Sequence, residues 1–222
     1  MSNNPPIDPA WRHAVHELRD PDEFGFAVTG ARLMAEFLRP QREPTRVEQF
    51  QHADWALDFH EAQVKARIIG PLPAGWASMG LMRGVVESSW YGCPAGRGVL
   101  VSTPPGEVID GHIAPGFQCL AVTISPELWE RGRRLAGVED RACGGPGVHA
   151  LEPLRYERLE RRLRSLRRLL RASATDPRLG RQAVRDSACF AVEIAAIAWA
   201  LGAAVAPHRT APGRRARLVR QA

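Results

Sequence analysis

The feature that most constrains this chain is a change of period at Ser125. From Phe24 to Ile124, short apolar runs are cut by "LRPQREPT", "GPLPAG", "YGCPAGRG", "TPPGE" and "IAPG". Clustered Pro and Gly stop helices and make turns. After Ser125 the apolar residues recur every three or four positions instead. Strands followed by helices predict an α+β chain, and strands joined by short turns predict antiparallel pairing.

The runs themselves have the period of strands. "WALDFH" puts Trp55, Leu57 and Phe59 on one face, and "VKARIIG" groups Val64, Ala66 and Ile68. "GWASMGLMR" carries Trp76 on one face and Met79 and Leu81 on the other. "TRVEQFQH" alternates in part, and "GVLVS" and "FQCLAVTI" complete the set. Many short strands at regular spacing predict an antiparallel barrel or sandwich. Residues 1–22 read as a lead-in with one short helix over Trp11–Leu18.

The helical part has clear punctuation. In "SPELWERGRRLAG", Ser125 is the N-cap, Pro126 the first helical residue and Gly137 the stop. "RACGGPGVHA" reads as a loop. In "RYERLERRLRSLRRLLRAS", Tyr156, Leu159, Leu163, Leu166 and Leu170 form a heptad-like seam, which fits a helix packed on a partner helix. A second helix follows from Pro177 to Ala204, and "ACFAVEIAAIAWALGAAVA" within it is apolar on nearly every side. Its Ala-rich make-up and Glu193 argue against a membrane span and for burial between its own domain and another subunit. Pro207 to Gly213 then reads as a linker.

Charge divides the chain in the same place. Residues 1–150 hold 14 basic and 18 acidic residues, a balance of −4, whereas residues 151–222 hold 16 and 6, a balance of +10. A basic last third raises nucleic-acid contact as a reading, against the simpler one of a solvated Arg-rich helix face. The four cysteines are far apart with no CxxC, which fits a reducing cytoplasm and disfavours a zinc site or a disulfide framework. The polar, Pro-rich start lacks the apolar run of a signal peptide.

No catalytic constellation stands out. His52, His60, His112 and His149 are scattered, without HxH or HExxH, so neither a metal nor another cofactor is expected. His60 and Glu61 are neighbours on a strand and point to opposite faces. There is no GxSxG, Cys93 has no local base, and "GRG" and "GGPG" lack the setting of a phosphate loop. What remains is an apolar interior. Trp55, Phe59, Trp76, Trp90 and Phe117 on strands either fill a core or line a pocket for a small organic ligand.

The order of these stretches resembles the N-terminal half of AraC/XylS-type transcription regulators. "DPDEFGFAVTG" with "ARLMAEFLRP" is similar to the family's opening helix and first strand. "VKARIIGPLPAGWASMGLMR" resembles its strand-turn-strand. "GVLVSTPPGEVIDGHIAPGFQCLAVTISPELWER" resembles the strands that lead into a helix after Ser-Pro. "RARLVRQA" is similar to the opening of its C-terminal DNA-binding domain. The resemblance implies a cupin-like antiparallel β-barrel at 23–150 that binds an effector. It further implies dimerisation helices at 151–205 in a homodimer, with the Tyr156, Leu159, Leu163, Leu166 and Leu170 seam at the dimer interface, and at 206–222 a linker and the start of a DNA-binding domain. Two helix-turn-helix units need roughly 100 residues, so DNA contact is expected only through a C-terminal domain absent from these 222 residues. The expected role is sensing, not catalysis. A cupin-type metalloenzyme and a stand-alone basic nucleic-acid-binding protein are the alternatives.

Overall fold

The computed structural model describes residues 11–40, 43–85, 88–141 and 144–204. Among these residues twelve strands form two antiparallel sheets, and three α-helices pack on one of them. The strands are β1 (Trp11–Leu18), β2 (Met34–Phe37), β3 (Thr45–His52), β4 (Trp55–Ala62), β5 (Ala66–Pro71) and β6 (Ala77–Met82). They continue with β7 (Ser88–Trp90), β8 (Cys93–Ala95), β9 (Val99–Thr103), β10 (Val108–Ile113), β11 (Phe117–Ile124) and β12 (Gly147–Ala150). The helices are α1 (Pro126–Ala136), α2 (Pro153–Ser173) and α3 (Pro177–Ala204).

The larger sheet runs β1-β3-β4-β11-β6-β9-β12 and the smaller β2-β5-β10-β7-β8. The fold is thus the cupin-like α+β type, but as two facing sheets and not a closed barrel. Tight turns carry the chain from one sheet to the other. At Gly106 and Gly116 the backbone has φ of 85° and 86°, a left-handed turn open to glycine.

Period 2 splits the larger sheet between two cores. On β4, Trp55, Leu57 and Phe59 face the helices, while Ala62 faces the smaller sheet. On β11, Leu120, Val122 and Ile124 face the helices, while Phe117, Cys119 and Ala121 face inward. The result is three layers: small sheet, large sheet, helices.

Three expectations are corrected. Trp11–Leu18 is a strand, not a helix, because all eight residues pair with β3 from Trp11↔His52 to Leu18↔Thr45. Gly147–Ala150 is a strand on β9, not loop. The seam of α2 is filled within the chain: Tyr156, Leu159, Leu163, Leu166 and Leu170 are buried against the larger sheet and α3. They are not free to meet a second subunit, because that sheet's outer face is itself apolar and needs a cover.

The helix signals at α1 are used as read. Ser125 Oγ accepts from Leu128 N–H at 3.4 Å, and Gly137 closes the helix at φ 66°. α1 then lies close on α3. A Cβ at Gly132 would stand 2.5 Å from the Ala195 Cβ. The rings of Trp129 and Trp199 are 4.9 Å apart, and Trp199 Nε1 donates to the Trp129 carbonyl at 3.3 Å. One face of α3, including Phe190, Ile194, Ala198 and Trp199, is covered by α1, α2 and the larger sheet, while Ala196, Ile197 and Ala200 line an open groove with Leu135 and Ala136. Among the described residues no helix is long and apolar enough to cross a membrane. The linker and the "GRRARLVRQA" stretch lie outside the described residues.

Candidate functional site

Between the two sheets lies a cavity of about 50 Å³. Its wall comes from β3, β4, β6, β9 and β11 on one side and from β5, β7 and β10 on the other. A short 3₁₀ turn, Pro21–Phe26, lies against it and adds Phe24, followed by Ala27 and Val28. Most of the lining is apolar. Thr45, His60, Ser78, Thr103 and Cys119 are the polar exceptions, and among the described residues no Lys, Arg, Asp or Glu takes part.

Among the described residues, two buried polar atoms on this wall have no hydrogen-bond partner: His60 Nε2 and Trp90 Nε1. Buried polar groups are nearly always paired, so such exceptions call for an explanation. Burial pushes the His60 imidazole down to about 4, which keeps it neutral near pH 7. Burial pushes the Cys119 thiol far up, so it is no ready nucleophile. The Thr103 hydroxyl is bonded to the Tyr91 hydroxyl.

Trp90 owes its place to Gly111 opposite it on β10. A Cβ at Gly111 would come within 2.5 Å of the indole ring. Trp90 also sits 6.2 Å from Phe117, while Phe24 meets Phe37 edge-on at 5.4 Å. The segment that carries Phe24 is fastened to the larger sheet just beyond Val28. Asp58 on β4 accepts from the Thr29 N–H at 2.6 Å and from its hydroxyl at 2.8 Å. Desolvation dominates and raises the Asp58 carboxyl to about 7, although both Thr29 bonds pull it down.

The five aromatic candidates separate by place. Trp90 and Phe117 line the cavity. Trp55 and Phe59 belong to the other core, and the Arg167 guanidinium covers the Phe59 ring at 4.3 Å. Trp76 lies with Trp11 and Trp55 along a surface groove. Period 2 groups Trp55, Leu57 and Phe59 correctly, but period alone does not say which face meets helices. The polar member that sequence reasoning set aside is His60. Its signal was present, since it sits on the face of β4 opposite Phe59.

Helix α2 is clamped to the outside of the same sheet at both ends. Near its start, Arg83 Nε donates to Glu160 Oε1 at 2.6 Å, and the Tyr156 hydroxyl donates to the same oxygen at 3.4 Å. Near its end, Arg167 and Arg171 both donate to Glu48 of β3. Among the described residues no group of three His, Cys, Asp or Glu is placed to hold a metal ion.

No family model matches the chain, and no curated protein matches it. Among solved structures, it is similar to the crystal structure of the AraC-like transcriptional activator CuxR. The TM-score is 0.50 with 14% identity, over 81% of this chain and 65% of that one. The likeness is one of fold, and the match spans about two thirds of that protein's length. Protein Ylba from E. coli (DUF861) gives a TM-score of 0.28 with 11% identity, over 67% of this chain and 56% of that one.

Proposed function

We propose that this chain is the effector-sensing part of an AraC-type transcription regulator. The observation that carries this reading is the cavity between the sheets, with two unpartnered polar atoms on an otherwise apolar wall. The fold shared with an AraC-like activator supports it. An apolar wall with a few polar groups that fix orientation is the chemistry of a site for a small organic molecule, one that side chains must shift to admit. It offers no nucleophile paired with a base, so binding rather than turnover is the reading.

Strands β4, β6 and β11 touch the cavity with one face and the helical layer with the other. Ligand entry that shifts these strands would reach α2 through the outward residues. A ligand that favours one arrangement of sheet and helix then biases whatever the helices position. In this reading that is a DNA-binding domain beyond the chain, in a cytoplasmic protein. Homodimerisation belongs to the same reading, but it has to use surface other than the buried α2 seam.

The test is a thermal-shift survey of the 222-residue chain against small organic metabolites, followed by recovery of each hit. A sensor returns the compound unchanged. When the chain is fused to a helix-turn-helix domain, the hit should also alter reporter output. Chemical conversion of a hit, or no hit with any effect on the reporter, would refute the reading.

A further inference from the structure

The wall of the cavity narrows what it accepts. Its lining has no side chain that carries charge near pH 7, so an ion entering it would lose water and meet no counter-charge. The two unpartnered atoms ask for something else. Trp90 Nε1 can only donate, so its partner must be an acceptor. His60 Nε2 donates or accepts according to tautomer. A single hydroxyl oxygen can serve both kinds of partner.

Size adds a second constraint. A cavity of about 50 Å³ holds a water or two, whereas an engineered apolar cavity of about 150 Å³ takes benzene. An occupant of one ring must therefore displace side chains. Met82 is one that can move: its Cε lies 2.9 Å from where a Cβ on Gly80 would stand, and Met is unbranched and adaptable. The Phe24 segment is the other, held to the larger sheet by Gln49, which donates to the Phe26 carbonyl at 2.7 Å, and by Thr29 on Asp58. The three aromatic residues of the lining, Phe24, Trp90 and Phe117, suit an aromatic guest.

From these walls we infer that the cavity takes an uncharged, one-ring organic molecule bearing a hydroxyl, held between His60 and Trp90, and that it rejects anions of the same shape. This rests on the cavity being the ligand site, as argued above.

The probes are phenol, benzene and benzoate, titrated into the full chain and read by thermal shift and tryptophan fluorescence. Phenol should bind at least fivefold tighter than benzene, and benzoate at least a hundredfold weaker than phenol. Trp90→Phe keeps a ring and loses the N–H, and His60→Leu removes the imidazole. Each should weaken phenol about tenfold, one hydrogen bond's worth, and leave benzene unchanged. Trp90→Phe keeps the test open if His60→Leu does not fold. Benzoate binding as tightly as phenol overturns the inference and leaves the sensor reading standing. Phenol affinity unaltered by either variant does the same. No binding by any of the three probes overturns the inference alone; the sensor reading falls only if the wider metabolite survey also finds no ligand.

Discussion

Arg171 holds Glu48 with two bonds, Nε to Oε1 at 2.7 Å and Nη2 to Oε2 at 2.6 Å. The two residues are 123 positions apart, one on α2 and one on β3. Arg167 joins the same carboxylate through Nε at 2.7 Å. The cavity layer and the helical layer are thus tied by a buried acid with two guanidinium partners.

This pair sets an acid limit on stability. Desolvation by itself would raise the Glu48 carboxyl, but Arg171 and Arg167 overcome it and hold the group at about 2, below its ordinary 4.5. A depressed carboxyl adds stability above its unfolded value and loses it as pH falls through 4.5 toward 2. Glu48→Gln should lower stability near pH 7 by about 2 kcal/mol, discounted because Arg171 is half exposed. The gap between the two proteins should close in acid. Urea unfolding at pH 7 and pH 3 checks it.

Asp58 and His60, two residues apart on β4, should pull in opposite directions. The Asp58 carboxyl is raised from 3.8 to about 7, so its contribution is full below 3.8 and lost as pH rises toward 7. The His60 imidazole is lowered from 6.5 to about 4, so its contribution is full above 6.5 and lost as pH falls toward 4. Asp58→Asn keeps an acceptor for the Thr29 N–H. It should therefore gain on the wild type between pH 4 and 7 by about 4 kcal/mol, or roughly 8–16 °C in Tm. His60→Leu should gain on it in the other direction, toward acid. Melting curves across that range decide both.

Leu163 is 1% exposed within a single chain. Leu163→Ala should then cost about 2–5 kcal/mol of stability. Charged residues at Leu163 and Leu166 should unfold the helical layer instead of giving folded monomers. Light scattering together with circular dichroism separates the two outcomes.

Gly111 makes room for the Trp90 indole. Gly111→Ala should displace the ring, cost about 1–3 kcal/mol, and weaken phenol at least as much as Trp90→Phe does. Titration of the folded variant checks this.

The layered plan was legible because turn chemistry and period are local. Ser125, Pro126 and Gly137 cap α1 as their types demand, and β4 and β11 alternate along their length. What was not legible depends on partners far away in sequence. Trp11, Val15 and Leu18 are spaced to suit one helix face, yet β3 offers a complete ladder and wins. The α2 leucines have the spacing of a helix seam, but spacing does not tell a partner helix from the chain's own sheet. His60 looked like one scattered histidine until β4 placed it opposite Phe59 on the cavity wall.

In a sensor of this build, occupancy of the cavity is felt by α2 across the larger sheet. Amide hydrogen exchange, with and without saturating phenol, measures this directly. The account predicts slower exchange along β4, β6 and β11 together with changed exchange in α2 around Glu160 and Arg171. Protection confined to the cavity strands, with α2 exchanging as before, would contradict it.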